Sequence, residues 1–286
     1  MNPLIVTLIL GTATPGGGFP VYGDAFADMV NAQDPSLAIQ TQNTKGSAEN
    51  VPLLEAGKLD LGLVAGEIAT AALGKPGTKL RIITAMYSSP GMFAVRGDSP
   101  VRAIADLRGQ TVVLGTQGSG LTVMGRGVLE VLGVEVKPVF LEKAADGPAM
   151  VLDGRAAALW GAGIGWPGFT AMAKAGGRFV VPNEREIAAI LAKNPALKAL
   201  TMPGGSYPVQ DAPLRTVGSW SFVVAKPDLP EEIGYKLARA IHRAETPLAA
   251  RLAQARETTM RNTRDAAPTP GLLHPGVAKY LKEIGL

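Results

Sequence analysis

Three short stretches of this 286-residue chain combine glycine with hydroxyl or amide side chains: Gly11–Gly18, Gly46-Ser47-Ala48-Glu49-Asn50 and Gly115-Thr116-Gln117-Gly118-Ser119-Gly120. Each leads into a helical pattern, so each places glycine at the start of a helix. The first turn of a helix carries N–H groups without intrahelical partners and a partial positive charge, which together favour an anion. Glycine lets a ligand approach the backbone closely, and serine, threonine or asparagine adds hydrogen-bonding side chains. The chemistry these residues can do is capture of a small anion.

Catalytic readings lose a required residue. The run from Gly115 to Thr122 has the glycine spacing of a phosphate-binding loop, but Leu121 stands where the lysine is needed. Gly118-Ser119-Gly120-Leu121-Thr122-Val123 lacks the third glycine of a dinucleotide fingerprint. Gly204-Gly205-Ser206-Tyr207-Pro208 does not complete a Gly-x-Ser-x-Gly elbow. There are no cysteines, which removes disulfides, thiolate metal sites and thiol nucleophiles, and only two histidines, His242 and His274. His242 lies between arginines on a long helical pattern and reads as a surface residue. His274, before Pro275-Gly276, reads as a cap or packing residue. No metal and no cofactor is expected, and the chain is expected not to be an enzyme.

The net charge is +4, and 28 Lys+Arg are spread thinly over a sequence with only 5% aromatic residues. A nucleic-acid surface clusters its basic residues, so no nucleic-acid partner is expected. No apolar run approaches the ~18 residues that cross a bilayer. Leu4–Leu10 is short, lacks a basic flank and reads as a buried first strand, not a signal peptide.

The elements that must position these loops alternate in type. Apolar runs at Leu4–Leu10, Leu37–Gln42, Leu59–Val64, Leu80–Tyr87, Met92–Val95, Thr111–Leu114, Ala156–Trp160, Arg178–Val181 and Trp220–Ala225 read as strands. Helices are expected over about 21–31, 47–55, 119–132, 231–244 and 277–284. This alternation is the pattern of an α/β protein. Glycine (35) and proline (22) both exceed average usage of ~7% and ~5%, consistent with many tight turns. The stretch Leu54–Gly66 also lays over Val151–Gly163 at an offset of 97, matching Gly57 with Gly154, Lys58 with Arg155 and Ala65-Gly66 with Ala162-Gly163. Two lobes built from the same parts are expected.

Residues along most of the chain carry a family resemblance. They are Gly11-Thr12 with the following glycines and Tyr22, Gly46–Asn50 with Leu53–Asp60, Asp106-Leu107-Arg108-Gly109, Val112 to Gly120, Gly205–Pro208, Thr216-Val217-Gly218 and Leu273–Glu283. In these the chain resembles the TAXI solute-binding proteins of TRAP transporters, within the NMT1-like group of periplasmic binding proteins. The resemblance implies a two-lobed, type II Venus-flytrap fold of two doubly wound α/β domains joined by a two-strand hinge. Domain I is expected over 1–93 and 222–286 and domain II over 94–221, with a ligand cleft between them. It implies a periplasmic location, the targeting signal being absent from the sequence as it stands, and a monomer that delivers a carboxylate, dicarboxylate or glutamate-like amino acid to a TRAP-type permease. An ABC-type sulfonate or aromatic-acid binding protein, or a pyrimidine-precursor synthase on the same fold, are the alternatives. Ligand contacts are expected from Thr12, Tyr22, Ser47, Asn50 and Ser88, from Thr116, Gly118, Ser119 and Gly120, and from Trp160 and Trp166 as pocket walls.

Overall fold

A computed structural model describes residues 5–194 and 196–286. It separates the chain into two units: Met1–Ala13, Phe19–Tyr87 and Trp220–Leu286 form one, and Thr14–Gly18 with Ser88–Ser219 the other. The expected boundaries, after 93 and after 221, lie a few residues beyond these.

In the first unit the β-branched and aliphatic run Val6–Gly11 forms β1, the central strand. It pairs in parallel with β2 (Leu37–Gln42) on one side and β3 (Leu61–Val64) on the other. The crossovers are the helices α1 (Gly18–Gln33) and α2 (Ser47–Glu55), and α3 (Gly66–Leu73) follows β3. The strand β4 (Arg81–Val95) begins in this unit and ends in the other. Residues Phe222–Ala225 pair antiparallel with Val64–Leu61 of β3. All four residues of β3 are buried, as a strand covered on both faces and both edges requires. The core gathers Leu8, Leu10, Phe26, Val30, Leu54 and Leu63 with residues from the far end of the chain, among them Leu237, Ile241 and Val277.

The second unit repeats the plan. Its central strand β5 (Thr111–Thr116) runs through α4 (Gly120–Val131) to β6 (Lys137–Leu141), a parallel neighbour. Then α5 (Gly147–Leu152) leads to β7 (Ala158–Ala162), which is parallel to β5 on its other side. Residues Gly91–Ala94 of β4 pair antiparallel with β7. After α6 (Pro167–Lys174), β8 (Arg178–Val180) adds to the other edge of β4. Then come α7 (Glu184–Lys193), β9 (Lys198–Met202) and β10 (Leu214–Ala225), whose residues 214–218 pair antiparallel with β9 before the strand continues into the first unit. The chain ends with α8 (Glu231–Arg251), α9 (Met260–Ala266) and α10 (Pro275–Glu283).

The α/β class expected from the sequence is the class observed. Strand β2 and helix α2 have the expected bounds. Leu4, the expected start of the first strand, lies outside the described residues. Two expectations need correction, the start of the last strand and the end of α8. The expected runs Leu80–Tyr87 and Met92–Val95 join through Ser88-Ser89-Pro90 in one unbroken strand, β4. Its backbone meets β10 so closely that a Cβ on Gly218 would lie 2.1 Å from the Ser89 carbonyl, and Thr216 Oγ1 donates to Gly91 O at 2.6 Å. The last strand starts six residues earlier than Trp220, at Leu214. Helix α8 passes Ala244 and contains Pro247, ending at Arg251. No described helix is long and apolar enough to cross a membrane.

Candidate functional site

In parallel α/β sheets ligands bind beyond the carboxyl ends of the strands, where loops turn into helix N-termini. In the first unit those ends are Gly11-Thr12-Ala13 after β1, Gln42–Gly46 after β2 and Ala65 after β3. A single side chain ties them together. Asn50, on the second turn of α2 and fully buried, donates from its amide nitrogen to the carbonyls of Gly11 (3.2 Å), Thr12 (2.8 Å) and Leu63 (2.8 Å). Its Oδ1 accepts from Thr44 Oγ1 at 2.8 Å, and Thr44 Oγ1 in turn accepts from Gly46 N–H. Gly46 holds φ at 100°, a left-handed value that favours glycine, and this turns the chain into α2. Ser47 Oγ accepts from Ala65 N–H at 3.0 Å, joining the β3 loop to the same helix end. Thr12 donates to Gln42 O and to Asn43 Oδ1. The expected ligand residues Thr12, Ser47 and Asn50 are thus brought together, with their side chains spent on bracing the loops. The first-turn amides of α2, those of Ser47 and Ala48, have no intrahelical acceptor, as at any helix start.

The second unit builds its equivalent with other residues. Gly115 (φ 104°) and Gly118 (φ 80°) curl the chain from β5 into α4. Ser119 caps α4, its Oγ accepting from Thr122 N–H at 3.2 Å and donating to Thr122 Oγ1 at 3.0 Å. Thr122 Oγ1 reaches back to the carbonyls of Leu114 and Thr116, at 3.0 and 2.8 Å. Thr116, Gly118 and Ser119 remain partly exposed at this helix end, while Gly120 is buried. The loop after β7, residues 163–165, is pinned by Tyr207, whose hydroxyl donates to Gly163 O and accepts from Trp166 N–H, both at 2.9 Å. Burial pushes the Tyr207 phenol well above its ordinary pKa, so it stays a neutral pin.

The aromatic residues expected at the ligand pack inside their own units. Tyr22 is wholly buried, stacked on Phe26 and edge-on to Tyr87, with its hydroxyl 3.0 Å from Thr258 Oγ1, and it packs in the core of the first unit. Trp160 is 1% exposed; it packs on Phe93, and its Nε1–H donates to Leu121 O at 2.7 Å. Gly125 exists to admit this indole, since a Cβ there would lie 2.7 Å from it. Trp166 fills the space over Gly161 and Gly168 and meets Phe169 edge-on. Both tryptophans are buried within the second unit. Ser88 is buried where β4 enters the second unit.

Sequence reasoning missed Thr44, Thr122 and Tyr207. A threonine two residues before a helix-starting glycine was a usable signal for Thr44. Tyr207 lies 41 residues from Trp166, and no local pattern announces that pairing. The two histidines are placed as expected: His242 is exposed and bonded to Tyr280 Oη, and buried His274 caps α10.

The NMT1-like family model matches residues 10–285, nearly the whole chain. The chain belongs to the NMT1-like family. Among solved structures it is similar to MatC (Rpa3494) from Rhodopseudomonas palustris with bound malate, at 14% identity and TM-score 0.64, covering 97% of this chain and 95% of that one. The periplasmic binding protein BugD matches at 14% identity and TM-score 0.63, over 98% and 97% of the two chains. CAE31940 from Bordetella bronchiseptica matches at 12% identity and TM-score 0.61, over 98% of each. The fold is that of the periplasmic solute-binding proteins.

Proposed function

We propose that this member of the NMT1-like family is an extracytoplasmic solute-binding protein. It captures a small organic anion, a carboxylate, dicarboxylate or glutamate-like amino acid, and hands it as a monomer to a TRAP-type membrane permease without transforming it. The observation that carries this reading is the fate of the polar side chains at the strand ends. Thr12, Thr44, Ser47, Asn50, Ser119 and Thr122 are engaged with the protein's own backbone and with one another, which leaves the first-turn amide N–H groups of α2 and α4 as the donors without intrahelical partners. A pre-set row of amides suits a carboxylate, whose oxygens accept several hydrogen bonds at once. Malate, the molecule bound in MatC, is of this class.

A thermal-shift series with malate, succinate, 2-oxoglutarate and glutamate, against a sugar and a nucleotide, tests the reading. A ligand that binds only the folded protein adds about 2.7 kcal/mol of stability at 100 times its Kd. One or more of the acids is expected to raise Tm, and the effect is expected to fall with added salt. A shift with the sugar or nucleotide alone would overturn the reading, as would consumption of the acid on incubation.

A further inference from the structure

The two units can be superposed in register from their hydrogen bonds alone. Asp60 N–H donates to Ile9 O at 3.1 Å, and Ala157 N–H donates to Thr111 O at 2.8 Å, so Ile9 corresponds to Thr111 and Asp60 to Ala157. The antiparallel neighbours agree: Val224 lies opposite Gly62, and Ala94 lies opposite Leu159, the equivalent of Gly62. Continuing each ladder brings Lys226 opposite Asp60, where Lys226 N–H donates to Asp60 O at 3.0 Å, and Arg96 opposite Ala157. The turns that follow share a pattern as well, Lys226-Pro227-Asp228-Leu229-Pro230 and Arg96-Gly97-Asp98-Ser99-Pro100.

The correspondence isolates one difference. In the first unit the Asp60 carboxylate accepts from Ile9 N–H at 2.8 Å and pairs with Lys226 Nζ at 3.1 Å; Asp228 sits 3.7 Å from the same ammonium. In the second unit Arg96 keeps the equivalent of Asp228, gripping Asp98 through Nε and Nη2 at 2.8 and 2.6 Å. The equivalent of Asp60 is the methyl group of Ala157. A cavity of about 290 Å³ occupies that place, with Arg96, Arg155, Gln110, Thr111, Ala156 and Ala157 among its lining. Arg155 is held by Asp153 through Nε and Nη2, which leaves its Nη1 free of that pairing. Arg96 Nη1 lies 3.7 Å from where a Cβ on Gly154 would be, so Arg96 reaches toward the turn that carries Arg155. Two guanidinium groups line the cavity, each holding one aspartate through its Nε and Nη2, Arg96 with Asp98 and Arg155 with Asp153.

We propose that this cavity, at the amino ends of β5 and β7 and so at the opposite end of those strands from the α4 loop, is a second anion site that takes one carboxylate group. The carboxylate fills the place that Asp60 fills in the first unit, in front of Arg96 and the backbone of Thr111, with Arg155 as the second cation. It arrives either on a free small acid or on an aspartate or glutamate side chain of another protein. Guanidinium pairs with carboxylate in a planar, two-point geometry, which is the recognition this lining offers.

The test is an amide-resolved NMR titration of the full chain with acetate, and separately with the blocked tripeptide acetyl-Gly-Asp-Gly-amide. Saturable shifts are expected at Gln110, Thr111, Ala156 and Ala157, with at least a fivefold weaker response in Arg96→Gln. Ala157→Asp restores the missing carboxylate and is expected to raise Tm and abolish the shifts. Tighter binding of the tripeptide assigns the site to a protein partner, and tighter binding of acetate to a free acid. The inference is overturned if neither probe gives saturable shifts there, or if the shifts persist unchanged in Ala157→Asp and Arg96→Gln.

Discussion

At the residue scale, Asn50 shows how one side chain can set the geometry of a whole strand-end surface. Its amide group satisfies carbonyls from two strands, and its oxygen anchors the hydroxyl that supports Gly46. Removing it strands buried carbonyls, each costing about 1–3 kcal/mol. Asn50→Ala is therefore expected to lower stability by about 2–3 kcal/mol on the same basis, seen as a lower urea midpoint at unchanged slope. Asn50→Asp is expected to be worse, since it points a carboxylate at carbonyl oxygens. A variant within 0.5 kcal/mol of the parent would remove Asn50 from this role. Sequence reading found the residue, because asparagine near a helix start beside glycine and serine is a visible polar cluster. It assigned the side chain to a ligand because the carbonyls it satisfies come from Gly11, Thr12 and Leu63, which only the folded sheet brings within reach. The partner of the Tyr22 hydroxyl was out of reach for the same reason, since Thr258 lies 236 residues away.

At the element scale, α10 is fastened by its cap. His274 Nδ1 accepts from Gly276 N–H, and Nε2–H donates to Leu229 O at 2.9 Å, so the ring must be neutral. Gly234 and Gly276 provide the clearance, for a Cβ on Gly234 would lie 2.0 Å from the ring. Burial, offset in part by the bond to Leu229 and by Glu231, holds the His274 pKa below its usual value of about 6.5. The unfolded chain therefore takes up a proton at a higher pH than the folded one. The contribution of His274 is complete above pH ~6.5 and is lost as pH falls from there toward the lowered folded pKa. His274→Asn keeps a cap acceptor but has no titration. The Tm difference between parent and variant is expected to shrink between pH 8 and 5, and a constant difference would refute the neutral cap. Elements with a short apolar start or with turn residues at their ends, such as β2 and α2 between Gly46 and Gly57, were legible in the sequence. Strands β6 and β9, with sequences Lys-Pro-Val-Phe-Leu and Lys-Ala-Leu-Thr-Met, were not. Both are largely exposed, so neither carries a buried-strand signature.

At the scale of the whole molecule, the two units differ in how the chain builds them. The second is nearly continuous, Ser88–Ser219, with the short loop Thr14–Gly18 added. It has its own apolar core around Phe93, Leu114, Trp160, Phe169 and Val217. A fragment of residues 88–219 is expected to fold alone, with dispersed amide resonances and a cooperative urea transition, whereas residues 1–87 are not. A fragment 88–219 without either property would show that its core needs the rest of the chain. The repeated plan was faintly legible as the match at an offset of 97. The register that makes it informative, Asp60 against Ala157, needed the ladders.

The first unit depends on β10 to cover the free edge of β3, and β10 lies at the far end of the sequence. During synthesis the four apolar residues Leu61–Val64 emerge long before their partner Phe222–Ala225 exists. An uncovered, uncharged strand edge of this kind is an aggregation template. The nascent chain therefore carries an open seam along β3 past the completion of the second unit, until its last quarter is made.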